Sequence, residues 1–166
     1  MNTSWRYSLS ISVATVIAYY VTAGLAYWSF PESGPISSLW ACLSAIITLD
    51  DSVHETLQAA KARMMGTLIG AAIASMMSLL VNANTPNGLE IFLGIFLCAL
   101  VCHFANTRPY VRVAGITFIL IIVLKPIAAN ASGYEFTLAR IVDSLIGCSA
   151  AVLTSLTWRL SSTKPH

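Results

Sequence analysis

Two arginines in nearly identical apolar surroundings are the side chains in this chain best suited to bind an anion. Arg63 is the second residue of the run Ala-Arg-Met-Met-Gly-Thr-Leu-Ile-Gly, and Arg140 is the second residue of the run Ala-Arg-Ile-Val-Asp-Ser-Leu-Ile-Gly. A guanidinium matches the shape of a carboxylate, and at the start of a helix its charge adds to the positive end of the helix dipole. The sequence therefore predicts that Arg63 and Arg140 bind a negatively charged molecule. The alternative is that each side chain only reaches up to lipid headgroups.

The two arginine segments belong to a longer internal repeat. Leu68-Ile69-Gly70 is repeated as residues 145–147, and the apolar run 46–49 is answered by 121–124. The copies occupy about residues 9–82 and 89–160. A period of about half the chain predicts two structurally similar halves.

Composition places most of the chain in lipid. Of the 166 residues, 57% are hydrophobic and only 10% are charged, which is unlike a soluble domain of this size. The net charge of +2 is small and scattered, so nucleic acid is not expected as a partner. The start of the chain leads into a segment of membrane-spanning length without a clear cleavage site, which predicts a retained first span. We expect a single all-α integral membrane domain over residues 1–166, with the lipid bilayer as its surroundings.

Six apolar segments, three in each copy, predict six transmembrane helices. They cover about residues 9–30, 36–49, 63–81, 89–104, 111–124 and 138–160, and residues 50–62 are predicted to be a polar linker or surface helix. Lys and Arg are enriched on one side of this arrangement, which places both termini in the cytoplasm. Since an odd number of crossings inverts the second copy, the halves form two inverted three-helix repeats. The second and fifth segments are short, so each is either broken within the membrane or completed by its flanking residues.

Several other side chains are candidates for binding or coupling. Lys125 and Arg140 break the charge pattern and are the second-copy counterparts of Asp50 and Arg63, so Lys125 joins the predicted substrate-binding set. Trp40 begins a short segment and is a candidate to stack on an aromatic substrate. Asp143 lies one turn beyond Arg140 and is either its ion-pair partner or a group that couples transport to protons. Weaker candidates for proton coupling lie at segment ends: His103, Glu55 and Asp50.

Small residues four apart predict close helix packing. Gly66, Gly70 and Ala74 in the first copy are matched by Gly147 and Ala151 in the second. Such stripes let helices approach closely in lipid. The expected seam joins the third and sixth helices, and a subunit interface is the alternative.

Metal, cofactor and enzyme chemistry are not predicted. The four cysteines lie in apolar runs without a ligand set that would complete a metal shell. No catalytic cluster of His, Ser and Asp and no pair of carboxylates occurs within one apolar segment.

The motif that combines these features resembles a known family. Trp40-Ala41, then Ser44-Ala45, then Arg-x-x-Gly-Thr-x-x-Gly at residues 63–70 is similar to the membrane domain of the fusaric acid resistance protein-like group, which includes bacterial aromatic acid exporters. The six-span layout is also similar to that of plant aluminium-activated malate transporters. The resemblance implies six helices per subunit, a homodimer or other homo-oligomer, and movement of organic anions, often aromatic carboxylates, across the bacterial inner membrane.

Two features depart from that group. Its members commonly carry a soluble domain or a second membrane unit, whereas this chain ends at His166, which leaves room for a separate soluble partner subunit. Asp50 and Asp51 also stand where a proline is expected. The sequence therefore predicts an exporter of organic anions that works by alternating access between inverted repeats. A passive anion channel and a non-transporting membrane interaction subunit are the alternatives.

Overall fold

The chain folds into α-helices throughout the part that the structure, a computed structural model, describes. This part comprises residues 3–29, 34–80, 87–105, 108–124 and 133–162. Six α-helices and one short 3₁₀ helix, Arg108–Tyr110, occur in it, and no strand does, which confirms the prediction of an all-α chain with six helices. The α-helices are α1 Thr3–Ser29, α2 Gly34–Thr48, α3 Val53–Leu80, α4 Gly88–Phe104, α5 Val111–Leu124 and α6 Gly133–Ser162.

Three of these helices are long and apolar enough to cross a membrane. The candidate spans are Tyr7–Leu25, Val53–Leu79 and Thr137–Thr157, and the remaining apolar helices are shorter. The helices α2 and α5 have 15 and 14 residues, as the sequence predicted for the second and fifth segments. At 1.5 Å per residue they reach only about 21–23 Å along their axes. Large apolar side chains such as Tyr20, Phe92 and Leu153 are exposed, which is typical of surfaces that face lipid.

The helix α3 begins earlier than the apolar pattern indicates because a polar cap precedes it. The Ser52 hydroxyl accepts a hydrogen bond from the Glu55 backbone N–H at 3.1 Å and donates one to the Glu55 carboxylate at 2.7 Å. A serine followed three residues later by glutamate stabilises a helix start in this way. The polar stretch 50–62 is therefore mostly the beginning of α3, and the prediction that the third helix starts near residue 63 was wrong.

The chain divides into two compact units whose boundaries fall inside α3 and α6. Unit 1 comprises Met1–Arg63 and Val142–His166. Its core is built almost entirely of alanines from α1, α2 and α6, namely Ala14, Ala18, Ala41, Ala45, Ala150 and Ala151, together with Leu49. Side chains this small let the helix backbones approach closely, which replaces the hydrophobic drive that is missing in lipid.

Unit 2 comprises Met64–Ile141 and has larger core side chains. Its core joins α3, α4 and α5 through Ala71, Ile73, Ala74, Met77, Cys98, Cys102, Ala114, Phe118 and Ile121. The Phe118 ring is fully buried and lies directly against Gly94 of α4, where a Cβ atom would overlap the ring. Gly94 is therefore the position that makes room for the largest side chain of this core.

The predicted small-residue stripes contact different helices from those expected. Gly70 on α3 lies against the Ala114 carbonyl and Thr117 of α5, and Gly147 on α6 lies against the Ala41 carbonyl and Ser44 of α2. The prediction that these stripes join the third helix to the sixth was thus wrong about the partner helix, which is α5 for Gly70 and α2 for Gly147. Each unit instead packs the third helix of one sequence copy on the second helix of the other copy.

The two units repeat this packing in the same register. Ala114 and Thr117 stand 73 positions after Ala41 and Ser44, and they meet the equivalent glycines of the two stripes. The contacts therefore support a structural repeat in which positions of α5 follow their equivalents in α2 by 73 residues. The apolar runs 46–49 and 121–124 give an offset of 75 residues, which is two more.

We predict that Gly70→Ala and Gly147→Ala destabilise the protein, because the added methyl group would overlap a backbone carbonyl on the neighbouring helix. The expected loss is about 1–3 kcal/mol of unfolding free energy. It is measured by SDS titration of the purified protein in mixed micelles.

Two other helix glycines provide matched controls. A Cβ atom at Gly24 or Gly115 would meet nothing within 4 Å. Gly24→Ala and Gly115→Ala are expected to be neutral or to stabilise the helix by about 0.5–1 kcal/mol. Equal losses in all four variants would contradict the packing described here.

Candidate anion site

One face of α2 carries buried hydroxyl groups at the spacing of a helix. Ser37, Ser44 and Thr48 are 4%, 0% and 0% exposed, and their positions recur after seven and then four residues. Residues at this spacing lie along one side of a helix. In unit 1 each hydroxyl meets a polar group from another helix, so an otherwise apolar helix presents a polar face.

Arg63 is the cation that this face holds. Its side chain is 5% exposed, and its Nη2 donates a hydrogen bond to Ser44 Oγ at 3.3 Å. Its Nε is buried and has no hydrogen-bond acceptor. Among the residues that the structure describes, no carboxylate pairs with Arg63.

A guanidinium in this position is poorly compensated. Taking a charge out of water costs several kcal/mol unless it is paired, and one hydroxyl dipole replaces only a small part of its hydration. A carboxylate can accept two parallel hydrogen bonds from a guanidinium and would supply the missing charge. The geometry around Arg63 is therefore suited to binding an anion.

The arginines lie within their helices instead of at the helix ends. Arg63 follows the start of α3 at Val53 by ten residues, and Arg140 follows the start of α6 at Gly133 by seven. These offsets are about 15 Å and 10.5 Å along the helix axes, whereas the field of a helix terminus fades within one turn. The predicted contribution of the helix dipole was wrong for both side chains, and any attraction for an anion comes from the guanidinium itself.

Asp143 is the anionic partner of the α2 face. It is 3% exposed, and its Oδ2 accepts a hydrogen bond from Ser37 Oγ at 3.0 Å. Arg140, three residues earlier on α6, is 4% exposed. Both arginines and Asp143 are thus buried inside the protein. The alternative, in which each arginine side chain reaches up to lipid headgroups, predicts exposed guanidinium groups instead.

A third polar contact completes the α2 face. Thr48 Oγ1 and Cys148 Sγ are 3.5 Å apart, close enough for a hydrogen bond. The sequence treated Cys148 only as a small apolar residue. It directly follows Gly147, and both residues lie on the side of α6 that packs against α2.

The remaining predicted site residues are distributed elsewhere. Trp40 is half-buried on α2, and Lys125 lies outside the described residues. His103 is exposed at the end of α4, where its ring meets Phe104 edge-on. Glu55 caps α3, and Asp50 is exposed in the preceding turn, where its carboxylate accepts a hydrogen bond from the Asp51 N–H at 2.8 Å. The structure gives Glu55 and Asp50 local roles at the start of α3.

Sequence reasoning predicted no role for the hydroxyl groups of α2, although Ser44 belongs to the family motif. Ser37, Ser44 and Thr48 are common residue types in apolar helices, and the signal that could have identified them is their helical spacing on a segment without charged residues. A polar stripe on such a segment indicates a buried polar contact or a water-lined surface.

These features define a multi-pass helical membrane protein with buried charged side chains in its helices. The chain matches the family model described as fusaric acid resistance protein-like over residues 21–154, and it belongs to this family. This match confirms the resemblance that the sequence motif indicated. The family is one of membrane proteins related to transport and resistance, and its members are transporters and not enzymes. A search of curated proteins gave no match.

We predict that Ser44→Ala lowers the unfolding free energy by about 1–3 kcal/mol, because it removes the hydrogen-bond acceptor of a buried guanidinium. The same change in an Arg63→Met background is expected to cost much less. The four proteins of this double-mutant cycle are compared by SDS titration in mixed micelles. Additive losses would show that the two side chains do not interact.

Proposed function

We propose that this protein transports organic anions across a membrane and that Arg63 binds the anion. The observation that carries the proposal is a buried guanidinium with one hydroxyl partner, an Nε without an acceptor and no paired carboxylate among the described residues. A structural ion pair would be expected to satisfy the charge within the protein. Membership of a transport-related family supports the same interpretation.

Arg140 is proposed as the second cation that the anion meets. It occupies the position of Arg63 in the second sequence copy and is similarly buried. If the copies have opposite orientation in the bilayer, as the charge distribution predicts, alternating access would present one arginine from each copy in turn. Lys125 remains a further candidate, and Asp143 a candidate for proton coupling.

The substrate class that we propose is an aromatic carboxylate. Trp40 lies on α2 between Ser37 and Ser44, whose hydroxyls contact Asp143 and Arg63. An aromatic ring on this helix could stack on an aromatic ligand held by its carboxylate. We further propose that the protein works as a homodimer in the bacterial inner membrane, with both termini in the cytoplasm.

We predict that Arg63→Gln lowers the efflux of radiolabelled benzoate from proteoliposomes by about tenfold or more, because a charge-assisted hydrogen bond to the carboxylate is lost. Arg63→Lys keeps the charge but not the planar pair of donors, so an intermediate rate is expected.

Lys61→Gln is the matched control for this experiment. It removes the same charge from an exposed position of the same helix and is expected to leave efflux unchanged. Wild-type efflux by folded Arg63→Gln would contradict the role of Arg63. Benzoate current without dependence on a proton gradient would favour a channel, and no flux from any variant would favour an interaction subunit.

A further inference from the structure

Two of the donor groups of Arg63 are covered by protein. Its Nη2 donates to Ser44 Oγ at 3.3 Å, and its Nε is buried. A bidentate contact with a carboxylate uses two neighbouring N–H groups of a guanidinium. Ser44 itself is fully buried and the Arg63 side chain is 5% exposed, so an anion reaches these groups only if part of unit 1 separates.

The cation and its hydroxyl partner belong to a pair of helices, α2 and α3, that is tied at its turn. Only residues 49–52 separate the two helices. Here Thr56 Oγ1 accepts a hydrogen bond from the Asp50 N–H at 3.1 Å and donates one to the Asp50 carbonyl at 3.3 Å. The Tyr7 hydroxyl of α1 donates to the Leu49 carbonyl at 3.4 Å. These contacts hold the end of α2 to α1 and to the start of α3.

The helix α6 covers the same part of α2 from a distant part of the chain. Gly147 lies against the Ala41 carbonyl and Ser44, and Cys148 Sγ lies 3.5 Å from Thr48 Oγ1. We call the contact made by these five residues the α2–α6 seam. Thr48 and Cys148 are 100 positions apart in the chain, so no short turn holds α6 to α2. The side of unit 1 that can part from Ser44 without breaking the tied turn is therefore α6.

The side chains around this seam are small. A hydrogen bond from Ser37 to Asp143 also crosses between α2 and α6. The apolar core beside it contains the alanines of both helices, namely Ala41, Ala45, Ala150 and Ala151. Side chains of this size do not interlock and lose few dispersion contacts on separation, so the helices can slide or part without repacking large groups.

We infer that the α2–α6 seam is a gate, which is closed over Ser44 in this structure and parts in each transport cycle to let the anion reach Arg63. The Ser44 hydroxyl contacts the guanidinium while the seam is closed, and a carboxylate of the anion takes its place when the seam parts. This inference rests on the proposed function, because it requires that Arg63 binds the anion. If the seam stayed closed, the anion would have to approach Arg63 from another side.

The test fixes the seam with a disulfide. In Thr48→Cys the new Sγ takes the position of the Thr48 Oγ1, 3.5 Å from Cys148 Sγ, and a small side-chain rotation brings the sulfur atoms to a bonding distance of about 2 Å. Iodine oxidises the two thiols, takes up their two electrons as iodide and releases their two protons. Efflux of radiolabelled benzoate from proteoliposomes is measured in one sample before oxidation, after oxidation and after reduction with dithiothreitol. Loss of two alkylatable thiols in denatured protein gives the cross-linked fraction.

Efflux by Thr48→Cys is expected to fall about tenfold when about nine-tenths of the chains are cross-linked, because only the remaining chains can open. Reduction is expected to restore the rate measured before oxidation. Unchanged efflux by cross-linked protein overturns the inference. Failure of the disulfide to form in the folded variant also overturns it, because the inference depends on contact between α2 and α6 at this point.

The matched control combines Thr48→Cys with Cys148→Ala. It keeps the introduced thiol and the other native cysteines but cannot form this disulfide, so iodine is expected to leave its own efflux rate unchanged. An equal loss of efflux in the control contradicts the gate, because the loss then does not require the seam to be fixed.

The rate of disulfide formation replaces efflux as the readout if Thr48→Cys does not transport before oxidation. Benzoate is expected to slow cross-linking severalfold, because an anion on Arg63 displaces Ser44 and parts the seam. An equal rate with and without benzoate overturns the inference. Absence of benzoate efflux by the wild-type protein contradicts the proposed function instead.

Discussion

The charge of Arg63 is the constraint on which the rest of unit 1 depends. A guanidinium that is 5% exposed needs acceptors, and α2 supplies only the Ser44 hydroxyl. The start of α3 offers no relief, because Arg63 lies ten residues after it. The protein therefore keeps a cation in its interior at a cost in folding free energy, which is typical of functional residues in membrane helices.

Close packing of small residues makes this arrangement stable. Gly147 brings α6 against the α2 backbone, and the alanine core of unit 1 joins α1 to the same helix. With the backbones this close, the short side chains of Ser37 and Thr48 reach Asp143 and Cys148. Backbone proximity and hydroxyl contacts thus depend on each other, since a larger residue at Gly147 would separate both pairs.

The sequence predicted the elements better than their partners. The apolar pattern identified six helices and the short α2 and α5, because residue type reports directly on burial in lipid. It could not show that the stripe at Gly70 faces α5, since a small residue favours close approach to any helix. The predicted start of α3 was about ten residues too late, because the polar residues after Ser52 form the exposed first turns of this helix. The arginines were found through repetition, whereas the α2 hydroxyls were not, because serine and threonine in apolar helices are common and only their partners distinguish them.

The two units share their packing but differ in the side chains at equivalent positions. At equivalent positions, Ser37 and Thr48 of α2 are replaced by Tyr110 and Ile121, and their partners Asp143 and Cys148 by Gly66 and Ala71. A small hydroxyl side chain and an arginine recur at the other two positions, with Thr117 in place of Ser44 and Arg140 in place of Arg63. Packing alone requires no carboxylate or thiol at these positions, since unit 2 packs with Gly66 and Ala71 there. The recurrence of a hydroxyl and an arginine in both copies supports the proposed role of Arg63 and Arg140 in binding the anion.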